Sequence, residues 1–462
     1  MPNRLHLPDL IWKSILAVGD IVLMYLSLWL SLNLRYGGDV TSGLFFNHAK
    51  AFTAAYMLWL VLLYINNLYS LTKIRQQTTT LINLTQSVFV ATLITVLVFY
   101  LLPHNDLMPK SLLAINALMF WALSAVWRFS FYKLSANSLP IKKAVIIGIT
   151  NGSLDLAKQM VDAPARGYKL MALAHDGQPN SMSLPNLDHV QSFEKPEDIL
   201  PYIKEHQITT IIFSDTSNQE LLQQLFNYLP LSVQFYNLPD FYEEYTNKLP
   251  ISELSYGWFL KNLNYKDKQL TDLIKETADV LSALIILIIT FPILALLGWL
   301  ITLGSPGPVI YKQKRLGKDS HEFTIYKLRT MTHNAERTGP QWSQIDDPRV
   351  TRIGRFLRRT RLDELPQLYN IIKGDMSFVG PRPERPEFVN SLLANIPFYQ
   401  TRNLVKPGLT GWAQVNFPYG SSVDDAIEKL QYDLYYIKHQ SLSLDLSILI
   451  RTIITVLGRQ GR

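Results

Sequence analysis

Two carboxylates stand side by side at Asp363 and Glu364, and six arginines (Arg349, Arg352, Arg355, Arg358, Arg359 and Arg361) crowd the thirteen residues 349–361 just before them. So many cations repel one another unless an anion sits among them, and phosphate suits the guanidinium fork. Pro366 and Gly374 mark an expected helix start and stop, which predicts the carboxylate pair at a helix N-terminus beside free amide donors. That is an anion site carrying its own carboxylates. Acidic residues in a first turn often only cap the helix and complement its dipole. As chemistry, a carboxylate beside Mg²⁺ and arginines attacks phosphorus and forms an acyl phosphate. The residues alone do not choose between Asp363 and Glu364 for that role.

The flanking segments must position this pair. VIYKQKRLG and FTIYKLRTM have strand character and carry cations toward it, among them Lys327 and Arg329. Downstream, Asp375 lies in KGDMS, and Arg382 stands between Pro381 and Pro383, which present it stiffly as a phosphate clamp. Trp412, in KPGLTGWAQVN, is suited either to stacking on a base or to filling core. The nine histidines show no metal-ligand spacing, so zinc is not expected.

Taken together, SPGPVIYKQKRLG, YKLRTM, TRLDELPQLYNIIKGDMSFVGPRP and KPGLTGWAQVN resemble, in order, the bacterial polyprenyl-phosphate sugar-1-phosphate transferases. The resemblance implies a mainly α catalytic domain over 271–462, with a re-entrant membrane helix near 275–304 broken at Pro292. It implies a UDP-sugar donor, undecaprenyl phosphate as acceptor, release of UMP, and a phosphosugar-aspartate intermediate on Asp363. Glu364 would hold Mg²⁺ with Asp363 or accept a proton, while Lys327, Arg329, Arg358 and Arg382 bind substrate phosphates. ERPEF and FPYGSSVDDA resemble exopolysaccharide-type members, which implies UDP-glucose rather than UDP-galactose. KDSHEF, around His321, departs from the glycine-bearing turn usual in the family.

The rest of the chain reads as a membrane protein. Of its 462 residues, 48% are hydrophobic, and the absence of cysteine excludes disulfides and thiolate chemistry. Four apolar segments, about 10–34, 51–69, 84–102 and 112–132, each approach the roughly 20 residues needed to cross a bilayer, and place a four-helix transmembrane bundle in 1–135. Arg4, Lys13, Lys73, Arg75, Arg128, Lys133, Lys142 and Lys143 lie on one side, against Arg35, Lys50 and Lys110 on the other. The chain is therefore expected in the bacterial inner membrane, with both bundle ends and the catalytic domain on the cytoplasmic face. A net charge of +7 beside apolar runs points to anionic membrane lipids rather than nucleic acid. Asp20, inside the first span, is an expensive ionisable group that either has a function or pairs with a neighbouring helix.

Residues 136–250 change to an α/β pattern, with KKAVIIGITNG and TTIIFSD as buried strands of a Rossmann-like domain. Thr150 holds the place of the second fingerprint glycine, so no dinucleotide is expected there, and a packing or homodimer-forming role is. Residues 251–270 read as the connection. The apolar run 280–303 is long enough to span, but Lys261, Lys266, Lys268 and Lys275 precede it and Lys312, Lys314, Arg315 and Lys318 follow it, which favours a hairpin returning to one face. Two other functions share parts of this pattern. A membrane-bound nucleotide-sugar dehydratase or epimerase would need an intact glycine loop and a Tyr followed four residues later by Lys in that domain, and a polysaccharide-assembly scaffold would leave the arginine cluster unexplained.

Overall fold

The computed structural model describes residues 9–71, 77–101, 110–135, 141–162, 167–175, 187, 189–214, 223, 226, 233–263, 269–304, 306–332, 347–417, 420 and 422–457. Arg4, Lys73, Arg75, Lys266, Lys268 and the last residue of TTIIFSD, Asp215, lie outside them. The chain forms two compact units, Met1–Leu238 and Pro239–Arg462.

The first unit begins with four long apolar helices, α1 (Asp9–Tyr36), α2 (Ser42–Ile65), α3 (Gln77–Leu101) and α4 (Lys110–Ser135), all long and apolar enough to cross a membrane. The second starts nine residues before the apolar run that predicts it, because Thr41 caps it by accepting a hydrogen bond from the Leu44 amide. Asp20 finds its partners in the bundle. Arg128 of α4 grips both its oxygens at 2.8 Å, and Ser124 and Tyr69 donate to it as well. A carboxylate so fully satisfied is an interhelical fastener, since removing one partner of a buried ion pair leaves the other charge stranded.

A parallel sheet follows, made of β1 (Lys142–Ile147), β2 (Tyr168–Ala174), β3 (Gln191–Phe193), β4 (Thr210–Phe213) and β5 (Gln234–Asn237) in the order β3-β2-β1-β4-β5, with α5 (Asn151–Asp162) after β1 and α6 (Pro196–Glu205) after β3. This is the Rossmann-like order. Gly148 takes φ +94°, and a Cβ there would meet Ser214 Oγ at 1.7 Å, so only glycine fits the turn. Thr150 caps α5: its hydroxyl accepts from the Ser153 amide, and Ser153 Oγ accepts from the Thr150 amide.

The second unit starts earlier than the sequence boundary at 250. Helix α7 (Leu238–Thr246) and the residues after it pack on the C-terminal helices: Lys248 pairs with Glu428 at 2.6 Å, Lys438 with Glu243 at 2.6 Å, and the Leu249 amide bonds Gln431. After α8 (Tyr256–Asn262) comes α9 (Gln269–Gly304), a 36-residue helix containing Pro292. Its backbone is helical throughout, so the proline does not separate two helices here; it removes one backbone donor inside one helix. An antiparallel hairpin, β6 (Ile310–Leu316) with β7 (Glu322–Leu328), meets the strand expectation. Its turn manages without the family's glycine by putting Asp319 and Ser320 at φ +53° and +62°, a left-handed conformation that side chains rarely adopt.

Next come α10 (Arg352–Thr360), a 3-10 segment (Leu362–Gln367), α11 (Leu368–Lys373), β8 (Ser377–Val379), α12 (Pro386–Asn395), β9 (Gly408–Thr410), α13 (Trp412–Asn416), α14 (Val423–His439) and α15 (Leu442–Leu457). Both halves of α9 pack on this domain. Ala283 joins Ile325, Leu368, Ile371 and Met376, while Leu297 and Ile301 join Leu328 and Leu357. Lys275 pairs with Asp445 of α15 at 2.6 Å, and Ser377 donates to Asp279 at 2.6 Å. The outward residues of α9, including Leu284, Ile288, Phe291, Leu296, Trp299 and Leu303, remain exposed and apolar.

Candidate active site

The carboxylate pair lies on the 3-10 segment between α10 and α11, rather than in the first turn of an α-helix. Arg361, at φ +58° in the left-handed region, ends α10 and turns the chain so that Asp363 and Glu364 both point inward, 8% and 7% exposed. Helix α11 then stops at Gly374, φ +86°, as the sequence predicts. Close packing fixes the approach of α10: a Cβ on Gly354 would come within 2.0 Å of the Thr330 carbonyl oxygen.

Three cations converge on one oxygen, Glu364 Oε1. Arg382 reaches it at 2.8 Å, Lys327 at 3.3 Å and Arg361 at 3.7 Å. Lys327 comes from β7, and Asn370 fastens that strand to α11 by donating to the Thr324 carbonyl at 2.7 Å and accepting from the Tyr326 amide. Arg382 is held through its neighbours' backbone. Arg402, fully surrounded and paired with Asp433 at 2.9 Å, donates to the Arg382 carbonyl, and Arg315 donates to that of Pro383. The stiffness expected from the flanking prolines thus has a buried scaffold behind it.

Asp363 Oδ1 is buried with no hydrogen-bond partner among the described residues. Burial, and then the Glu364 charge, push its carboxyl up to about 6, against the pull of Lys327, Arg361 and Arg358. Burial also disfavours ionised Glu364, but Arg382, Lys327 and Arg361 outweigh it and hold that carboxyl well below its usual range. Burial brings the Lys327 ammonium down to about 8, although the Glu364 charge works to keep it protonated. Among the described residues, four cations (Lys327, Arg358, Arg361, Arg382) against two carboxylates leave two positive charges, which suits a diphosphate. The result is one carboxylate clamped by cations and one left unsatisfied beside it, two environments that divide the roles of adjacent acids.

Other expected site residues separate. Arg358 sends its Nε to Thr330 Oγ1 at 3.0 Å, while its charge still acts on Asp363. Arg329 is buried and donates to the Pro306 carbonyl at 2.8 Å, so it secures the exit from α9 and is not aimed at the carboxylates. Asp375 pairs with Lys373 at 3.1 Å at the end of α11. Trp412 is core: its Nε1 donates to the Asn247 carbonyl, and its ring stacks on Tyr435. Sequence reading missed Arg361, Arg402, Arg315 and Asn370 as site-builders. Only Arg361 had a signal, its place in the arginine run.

Mg²⁺ takes one or two carboxylates and completes its shell with substrate phosphates and water. Among the described residues no three His, Cys, Asp or Glu side chains gather, so an all-protein cage is not on offer. The unpartnered Asp363 oxygen next to Glu364 fits the sparse arrangement.

A family model described as bacterial sugar transferase matches residues 270–459, and one described as CoA-binding domain matches 64–230. A UDP-glucose:undecaprenyl-phosphate glucose-1-phosphate transferase of Xanthomonas campestris is 30% identical over 352 residues, 71% of this chain and 69% of that one. The chain belongs to the bacterial sugar transferase family. An N-acetylgalactosamine-phosphotransferase of Aeromonas hydrophila that acts on undecaprenyl phosphate is 47% identical over 188 residues, 41% of this sugar transferase and less than half, 44%, of the Aeromonas protein. A putative N-acetylgalactosaminyl 1-phosphate transferase of Bacillus subtilis is 54% identical over 129 residues, covering 28% of this chain and 72% of its own. All three similarities include a polyprenyl-phosphate phosphotransferase name, and the site described above lies within the matched sugar transferase region.

Proposed function

We propose that this enzyme transfers a sugar-1-phosphate from a UDP-sugar to undecaprenyl phosphate in two displacements at phosphorus. A carboxylate oxygen of Asp363 attacks the sugar-bearing phosphorus, the bond to the bridging oxygen breaks, and UMP leaves with the electron pair. A lipid-phosphate oxygen then attacks the same phosphorus, the bond to Asp363 breaks, and the carboxylate is restored. The observation that carries this reading is the buried Asp363 oxygen, unpartnered among the described residues, beside a Glu364 tied to three cations. Lys327, Arg361 and Arg382 bind and neutralise the diphosphate, and Arg358 adds charge near Asp363. Bound Mg²⁺, held by Asp363 and Glu364, would supply further charge neutralisation. The relatives' names cover glucose, galactose and N-acetylgalactosamine. The test is a panel of these UDP-sugars, with UMP release measured with and without undecaprenyl phosphate. One sugar should give a burst of UMP stoichiometric with enzyme when acceptor is absent, and sustained release when it is present. Strict dependence of the first UMP on acceptor would overturn the covalent route.

For α9 the proposed arrangement is re-entrant, with both ends and the active site on the cytoplasmic face of the inner membrane. What supports this reading is the charge on both flanks, Lys261 and Lys275 before the apolar run and Lys312, Lys314, Arg315 and Lys318 after it, which prefer one face of the membrane. Nucleotide-sugars and Asp363 then share one side. Single cysteines at Lys261→Cys and Lys318→Cys, in a chain without native cysteine, should both label only from the cytoplasmic side. Periplasmic labelling of Lys318→Cys would mean a true span.

A further inference from the structure

Of the six clustered arginines expected around a phosphate, Arg358 and Arg361 act on the carboxylates and Arg349 pairs with Asp347. Arg352, Arg355 and Arg359 lie instead on a face of α10 that the catalytic reading does not use. Arg352, Arg355, Phe356 and Arg359 are all exposed. At 3.6 residues per turn they fall within an arc of about 100°. The opposite positions, Gly354 and Leu357, are buried. None of the three arginines makes an ion pair among the described residues, and Phe356 is 56% exposed, at the edge of the arc nearest Ile353.

The position of this face is set by α9. A Cβ on Gly304 would touch Ile353 Cδ1 at 3.2 Å, and Leu297 and Ile301 cluster with Leu357, so α10 lies along the last two turns of the apolar helix. Those same turns expose Leu296, Trp299 and Leu303, apolar surface that hydrocarbon covers. A helix fastened there sits at headgroup depth, where arginines meet lipid phosphates and a phenylalanine among them enters the acyl boundary. Three residues past the end of α10 stands Asp363.

We propose that the Arg352, Arg355, Phe356 and Arg359 face of α10 docks on the anionic headgroups of the bilayer that α9 enters, and thereby fixes the depth of Asp363 relative to the membrane surface. This rests on the membrane placement of α9 given above. A basic residue near an anionic surface shifts such an equilibrium about fivefold, so three shift it on the order of 100-fold.

The test uses full-length chain with one cysteine carrying an environment-sensitive fluorophore, at Phe356→Cys or, as a control, Trp299→Cys. Both are reconstituted in nanodiscs free of polyprenyl phosphate and of UDP-sugar, at one copy per disc. The Trp299 probe should report an apolar surrounding in any lipid; a watery signal there would refute the placement of α9 itself. With that control satisfied, the Phe356 probe should be apolar in discs containing phosphatidylglycerol and watery in phosphatidylcholine discs. It should turn watery again in 1 M salt, where screening shortens to about 3 Å, and when Arg352, Arg355 and Arg359 are all changed to Gln. An identical Phe356 signal in the two lipids overturns the proposal. So does a shift that needs added undecaprenyl phosphate, which would make the face an acceptor subsite, or one that needs two copies per disc, which would make it a protein interface. Near-normal single-turnover UMP release by the triple variant in detergent, with its activity in anionic discs reduced several-fold, separates docking from misfolding.

Discussion

Asp363→Asn is expected to abolish sugar-phosphate transfer, by at least about 10⁴-fold, while making the protein more stable. The amide keeps the shape of the carboxylate but is no nucleophile for phosphorus. The stability change follows from linkage. The Asp363 carboxyl titrates at about 6 in the folded chain and near 3.9 when unfolded. Between those values the folded state holds a proton that the unfolded state has lost, so stability falls as pH rises through the window, and the full cost is present above pH 6. Removing the charge should therefore raise stability at pH 7.5 by about 1–3 kcal/mol, visible as a higher melting temperature in detergent. Below pH 5 the gain should shrink. In the wild-type enzyme, kcat/KM should fall below about pH 6 as Asp363 takes up its proton. Measurable turnover by the Asn variant would remove Asp363 from the reaction. Inactivity with a lowered melting temperature would instead say that the carboxylate holds the fold.

Part of this arrangement was legible in the chain. Four apolar runs of spanning length became four helices, the strand-like segments VIYKQKRLG and FTIYKLRTM became the hairpin, and Gly374 ended α11. Of the motif residues that gather, Asp363, Glu364 and Arg382 have unusual neighbours, adjacent carboxylates or an arginine between prolines, whereas Lys327 has none. What sequence did not reveal was the pairing of cations. Lys327 and Arg329 look equivalent in YKLRTM, yet one reaches Glu364 and the other the Pro306 carbonyl, a difference set by where the strand ends and α9 exits. Arg361 adopts a left-handed conformation that no residue type there announces. The boundary at 250 fell late because α7 has the amphipathic pattern of a Rossmann helix, while Glu243 with Lys438 and His439 of α14, and Tyr242 with Gln431, assign it to the catalytic unit.

Glu364→Gln is expected to lower turnover by about 10²–10³-fold and, unlike Asp363→Asn, to cost stability. Glutamine keeps an oxygen where Arg382, Lys327 and Arg361 converge, but the charge that balances them is gone. Breaking a buried pair by removing one partner costs roughly 3–5 kcal/mol, since the remaining charges are left desolvated and facing one another. The sign agrees with linkage: Glu364 is held well below its usual range in the fold, so its stabilisation is present above its unfolded value and disappears as the carboxylate is protonated. The substitution reproduces that loss at neutral pH. Lys327 gives a second readout. Its ammonium titrates at about 8 with Glu364 helping to keep it charged, so without that carboxylate it should deprotonate earlier, and the alkaline limb of kcat/KM should move to lower pH. Lys327→Met should flatten that limb in both backgrounds. If Glu364→Gln left the alkaline limb and the melting temperature unchanged, Glu364 would not be the counterion on which these cations meet.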